Sequence, residues 1–177
     1  MPISTFTAPT CSLTINGDAG DDTVNLNGDI IFAANANLDV DLQNDNATPG
    51  VDAVNVAANA NLMASGLGTI IVNVSKNIVV NPGASLTTAA GNLTLLANQQ
   101  ATPTTGNFDG VTVNGGLVRA MGAGNVTVKG QGGSGSGNGN LGVIVLGPNA
   151  QILASGGAVL VEGTGGPGTS ADNFGVL

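Results

Sequence analysis

The sequence has almost no aromatic residues: of its 177 residues only four are Phe, and Trp, Tyr and His are absent. This excludes a core built around large aromatic anchors. Hydrophobic residues still make up 42% of the chain, so it can bury a core of Val, Ile, Leu and Ala and is not expected to be disordered. Such small side chains suit a narrow, layered interior, which favours a solenoid.

Charged residues are also scarce, at 8% of the chain, and unbalanced, with a net charge of -8. The only cations are Lys76, Arg119 and Lys129, too few to neutralise a track of phosphates, so we expect neither nucleic acid nor an anionic membrane surface as a partner. No apolar run approaches the roughly 20 residues of a membrane span. Cys11 is the single cysteine, which excludes an intrachain disulfide and leaves the redox compartment open.

A repeat organises the chain. The segment Asn35–Leu38 is repeated without change at Asn59–Leu62. More divergent copies follow at Gly83–Leu86 and Asn149–Ile152. The first shift along the sequence is 24 (62 - 38). We therefore predict a core ladder and a corner ladder, because identical residues stack from coil to coil. The predicted members are Leu38, Leu62 and Leu86 inside, and Asn35 and Asn59 at a turn.

A second repeat aligns Gly110, Gly142 and Gly175, with shifts of 32 (142 - 110) and 33 (175 - 142). The excess length lies in three segments interpreted as insertions: residues 99–107, 131–139 and 163–170. The last two are rich in Gly and Ser, a composition typical of flexible loops that do not pack.

Short apolar segments with period two, such as Val111–Val113 and Ala158–Glu162, predict half-buried strands. A β-sandwich is the alternative, and the fixed step argues against it. We predict an all-β parallel β-helix (β-solenoid) of about six coils of roughly 22–34 residues with Gly-rich loop insertions, about 30 Å long. Residues 13–177 form this single domain, and residues 1–12 form an N-terminal extension or coupling segment.

The run Gly124–Val128, the Ala-Ser-Gly turns and the Phe/Leu-Gly-Val strand starts resemble very large surface proteins of planctomycetes and cyanobacteria. They are similar, more loosely, to the β-helical shafts of filamentous-haemagglutinin-type and autotransporter adhesins. This resemblance implies export, an extracellular or cell-surface location and a long fibre. The opening residues do not form a signal peptide, so export requires a leader outside this sequence.

The segment Gly17–Asn25 resembles one nonapeptide of the RTX calcium β-roll. Carboxylate oxygens are ligands that Ca²⁺ prefers, so Asp18, Asp21 and Asp22 are the candidate metal ligands; the alternative is an acidic turn without metal. A second acidic patch is interpreted as a solvated outer face, with a calcium role as the alternative. Its members are Asp39, Asp41, Asp45 and Asp52.

The remaining acids are Asp109, Glu162 and Asp172. With no His or Tyr and only scattered cations, they predict no catalytic centre, and we expect the protein not to be an enzyme; a polysaccharide-processing enzyme is the weakest hypothesis. The leading hypothesis is a structural segment of an extracellular bacterial fibre. Its partners are further copies stacked end to end or adjoining coils of a longer chain. The alternative is an adhesin module that binds polysaccharide or a cell surface.

Overall fold

The computed structural model describes residues 9–43, 50–168 and 172–177, and the described chain is built from strands. It contains no helix that is long and apolar enough to cross a membrane. The strands, in chain order, are β1 Leu13–Asn16, β2 Thr23–Leu26, β3 Ile30–Ala34, β4 Leu38–Asp41, β5 Ala53–Val56, β6 Asn61–Ser65, β7 Ile70–Val74, β8 Asn77–Val80, β9 Ser85–Thr88, β10 Leu93–Ala97, β11 Val111–Asn114, β12 Leu117–Ala120, β13 Val126–Gln131, β14 Val143–Leu146, β15 Gln151–Ala154 and β16 Val159–Thr164.

These strands form three parallel sheets, and successive strands of the chain belong to successive sheets. Sheet A has the order β1-β4-β7-β10-β13-β16, sheet B has β14-β11-β8-β5-β2, and sheet C has β15-β12-β9-β6-β3. A bridge from Val143 to Val176 extends sheet B by one further rung. The chain is therefore a parallel β-helix, as predicted from the sequence.

The length of each coil follows from the register of sheet A. Leu13 pairs with Leu38, and the same column continues through Ile70 and Leu93. The shifts in residue number are 25 (38 - 13), 32 (70 - 38) and 23 (93 - 70). The column then reaches Val126 and Val159 by two equal shifts of 33 (126 - 93 and 159 - 126). The predicted coil lengths and the number of coils are confirmed.

Alternation within each strand places one row of side chains inside. In β4, for example, Leu38 and Val40 are buried, while Asp39 and Asp41 face outward. Val40 stacks on Val72, and Val72 stacks on Leu95, so the core consists of columns of small side chains perpendicular to the strands. Such columns fill an interior too narrow for many aromatic rings.

The predicted ladder of three leucines is wrong in one member. Leu62 pairs with Leu86 in sheet C, but Leu38 lies in sheet A. Asn35 and Asn59 therefore occupy two different corners. Both residues have positive φ, 68° and 61°, and each precedes a buried alanine at the start of a strand. Both corners require a residue with left-handed backbone conformation followed by a small side chain. The same sequence motif therefore occurs at either corner and does not show which one it forms.

Asparagine ladders do form, at other positions. The amide of Asn55 donates to Asn25 Oδ1 at 3.1 Å, and the amide of Asn81 donates to Asn55 Oδ1 at 2.6 Å. These contacts link three consecutive coils through side chains as well as through strands. The ladder chemistry expected for a solenoid is therefore present.

The Gly-rich insertions pack, contrary to the prediction that they are flexible loops. In their described residues, all three insertions lie at the corner between sheets A and B, which we call the AB corner, one above another. Gly133 N–H donates to Phe108 O at 2.9 Å, and Gly135 N–H donates to Gly106 O at 2.7 Å. A Cβ on Gly133 would lie 2.2 Å from Gly106 O. The glycines therefore allow one loop to stack directly on the next.

Candidate functional site

The AB corner also holds the acidic segment for which the sequence predicts calcium. Asp18 Oδ1 accepts a hydrogen bond from Ala19 N–H at 2.9 Å, and Asp21 Oδ1 accepts one from Val51 N–H, also at 2.9 Å. Asp22 Oδ2 lies 3.4 Å from Asp18 N. The three carboxylates thus hold the turn of the first coil and tie it to the second.

Asp52 lies beneath this turn and is fully buried, so the interpretation of Asp52 as part of a solvated face is wrong. Its Oδ1 accepts from Asp22 N–H at 2.8 Å, and its Oδ2 lies 2.7 Å from the Ser75 hydroxyl. One buried carboxylate therefore joins three successive coils by accepting hydrogen bonds from both sides. Sequence reasoning missed this role because Ser75 comes from a different coil. Buried polar groups are satisfied in this way in most proteins.

The rest of the second acidic patch follows the prediction where it is described. Asp39 and Asp41 are on the outer face of sheet A, and Asp41 Oδ1 accepts from the amide of Asn73 at 3.1 Å. Asp45 lies outside the described residues. Within residues 9–43, 50–168 and 172–177, no group of three or more His, Cys, Asp or Glu side chains is placed to hold a metal ion. Calcium binding at Asp18, Asp21 and Asp22 stays a prediction.

The later acids are separated from one another. Glu162 is directly opposite Lys129 on sheet A, and their side chains form a salt bridge of 2.6 Å. Arg119 lies on sheet C and donates from Nη2 to Ser155 Oγ at 3.3 Å. Asp109 lies at the AB corner, where its Oδ1 accepts from Leu141 N–H at 2.9 Å. Asp172 is exposed. Asp109 and Arg119 thus have different hydrogen-bond partners, Leu141 N–H and Ser155 Oγ.

Burial raises the pKa of Asp109 above its ordinary value of 3.8, and the hydrogen bond from Leu141 N–H lowers it in part. Because the folded state binds this proton more tightly than the unfolded chain, the fold is more stable when Asp109 is protonated. Stability is therefore lost as the pH rises from below 3.8 through the raised pKa.

We expect Asp109→Asn to raise the melting temperature at pH 7, by about 1–2 °C. The amide retains an oxygen to accept from Leu141 N–H and removes the buried charge. At about pH 3, where the wild-type carboxyl is protonated, the gain should disappear. Thermal unfolding of the variant and the wild type at the two pH values measures this difference in melting temperature. Asp39→Asn, on an exposed face, is the matched control, and an equal gain from both changes would contradict the burial argument.

The last coil carries exposed apolar side chains at its outer edge. Val159, Val176 and Leu177 are 44%, 50% and 60% exposed, although Val159 and Val176 continue columns that are fully buried in earlier coils. In the part of the chain that the structure describes, β16 pairs only with β13. Its outer edge therefore presents unpaired backbone groups together with an apolar surface.

A recess of about 500 Å³ opens at the corner between sheets B and C, which we call the BC corner. Its sides are contributed by three successive coils, and no sequence signal joins them. The lining residues are Pro82, Gly83, Ala84, Asn114, Gly115, Gly116, Leu117, Pro148, Asn149 and Gln151.

Cys11 is exposed and lies apart from both corners' polar networks.

Comparison with models of known protein families, with curated protein sequences and with solved structures gives no match.

Proposed function

We propose that this chain is a structural segment of an extracellular bacterial fibre, in which the β-helix is the shaft. The observation that carries the proposal is the edge formed by β16 and by residues 174–177. It combines an open strand edge with the exposed top of the core columns, and a solenoid needs a further coil or a cap at such an edge. A further coil, from a second copy or from an adjoining part of a longer chain, would extend all three sheets.

The first coil offers a complementary surface for a second copy. Leu13 and Ile15 of β1 begin the same two core columns that Val159 and Val161 continue in β16. A parallel contact between β16 of one copy and β1 of the next would keep both columns in register. Such a contact is heterologous and does not close, so it generates a filament.

The distribution of charge favours this parallel arrangement over its reverse. Eight of the 11 acids precede residue 53, and all three cations follow residue 75. Two first coils placed together would bring Asp18, Asp21 and Asp22 of one copy close to the same acids of the other, whereas the last coil adds only two acids, Glu162 and Asp172, and Glu162 is paired with Lys129. The charge pattern therefore supports stacking in one direction.

We expect the purified protein at micromolar concentration to form filaments with an axial repeat of about 30 Å, since about six coils each add about 4.8 Å. Electron microscopy with and without a calcium chelator tests this and the calcium prediction together. Loss of the filaments in chelator would assign Ca²⁺ to Asp18, Asp21 and Asp22. Discrete particles under both conditions would contradict self-stacking and leave a longer chain as the source of the next coil.

A variant at the proposed contact makes the test specific. Val159→Lys places a charge at the top of a core column and should abolish filaments while the folded monomer persists, because the Lys side chain can extend into water. Leu67→Lys is the control, since Leu67 is 71% exposed on the side of the rod. Filaments that survive Val159→Lys would contradict the proposed contact.

A further inference from the structure

The recess at the BC corner exists because one coil turns this corner in fewer residues than its neighbours. The connection from β11 to β12 consists of residues 115–116, whereas β8 to β9 uses residues 81–84 and β14 to β15 uses residues 147–150. The shorter corner is set back between the two longer ones. Pro82 and Pro148, both exposed, form the two sides.

The floor of this recess is apolar. Leu117 faces outward on sheet C, in a column whose neighbours above and below are Gln151 and Ser85. Earlier coils continue that column with polar residues that bond to one another, since Ser85 Oγ donates to Asn61 Oδ1 at 2.8 Å. The leucine interrupts a polar ladder at the position where the corner is set back.

Three side-chain amides surround this floor: those of Asn114, Asn149 and Gln151. Within the described part of the chain, none of these three amides has a hydrogen-bond partner. The asparagines of the ladder in earlier coils differ from these three residues, because the amide of Asn81 donates to Asn55 Oδ1 in the coil below it. Each free amide offers both donors and an acceptor, and no charged residue lines the recess.

We propose that this recess binds a neutral sugar unit of a glycan. An apolar floor matches the C–H face of a pyranose ring, and uncharged amides match hydroxyl groups, which both donate and accept hydrogen bonds. The volume is within the range of about 300–1,000 Å³ found for small-molecule sites. The absence of charge in the lining favours a neutral sugar over a uronic acid or a sulfated one. This function is separate from stacking, since the BC corner lies on the side of the rod.

The test titrates ¹⁵N-labelled protein with cellobiose, mannobiose and diacetylchitobiose and follows the side-chain amide signals by NMR. We expect at least one of these neutral disaccharides to shift the amide signals of Asn114, Asn149 and Gln151 at millimolar concentration. Asn149→Gly removes one amide but keeps the backbone, because Asn149 has a φ of 66° that glycine adopts freely. It should weaken binding about tenfold.

Asn59→Gly is the matched control. Asn59 has a φ of 61° at the equivalent corner of an earlier coil, outside the recess, so its replacement should leave the affinity unchanged. Leu117→Ser restores the polar column and should also weaken binding. The proposal is overturned if no neutral disaccharide shifts these amides, if digalacturonic acid or a proline-rich peptide binds instead, or if Asn149→Gly and Asn59→Gly act alike. Filament formation by the Asn149→Gly protein is measured separately, so that a loss of glycan binding can be distinguished from a loss of stacking.

Discussion

Val72→Asn is expected to lower the free energy of unfolding by about 3–5 kcal/mol. Val72 is fully buried in the third coil and stacks between Val40 and Leu95. Replacing it removes apolar contacts and buries an amide among hydrocarbon side chains, while the nearby backbone groups are already paired along the sheet. Because each coil of a solenoid is stabilised mainly by its neighbours, damage at the third coil weakens both halves of the rod.

The adjacent residue supplies the control. Ile71 is on the outer face of the same strand and is partly exposed, so Ile71→Asn should change the stability by no more than about 0.5 kcal/mol. Urea unfolding followed by far-UV circular dichroism measures both variants against the wild type. Similar losses from the two changes would show that the inward and outward assignment of β7 is incorrect.

Gly124→Ala is expected to lower the free energy of unfolding by at least about 3 kcal/mol, more than most substitutions that overpack a core. Gly124 is at the corner between sheets C and A, in a column of glycines stacked from coil to coil. A Cβ added there would lie 1.9 Å from Gly91 O, and one added to Gly157 would lie 2.2 Å from Gly124 O. Only backbone atoms are available to move, so relief of the overlap must separate two coils and lengthen the hydrogen bonds between them.

Gly156→Ala is the comparison for this effect. Gly156 is near the same corner but exposed, and a Cβ there would lie 3.1 Å from its nearest neighbour, Gly122 O. A shift of a few tenths of an ångström accommodates this Cβ, and we expect the free energy of unfolding to fall by less than about 1 kcal/mol. The melting temperatures of the two variants should therefore differ by several degrees, and equal values would contradict the close stacking at Gly124.

Much of the fold could be predicted because its signals are local or repeat along the chain. Period-two alternation identified strands such as Val111–Asn114, and the glycine steps identified a true column. Gly142 N–H donates to Phe174 O, and Val111 N–H donates to Gly142 O, as the alignment of Gly110, Gly142 and Gly175 requires. These predictions succeeded because identical neighbours in a stack demand the same residue types.

The predictions that failed concern contacts between coils of unequal length. The motif at Asn35 and at Asn59 is the same, yet the two residues lie at different corners. The Gly-rich run at residues 131–139 indicates flexibility when considered alone, but it packs because residues 104–108 present carbonyl groups beneath it. Local sequence carries no information about what the previous coil places underneath.

By itself, the sequence determined that this protein is a parallel β-helix with a core of small aliphatic side chains, because scarce aromatics, alternation and repeated corners allow little else. Only the tertiary structure decided that Asp52 is buried against Ser75, that the insertions stack at one corner, and that a recess opens at Leu117. Successive coils differ in length, since the coil from Ile70 to Leu93 is shorter than the coil from Leu93 to Val126. The register between coils, and so every contact that crosses them, is therefore set by the packing of the whole stack.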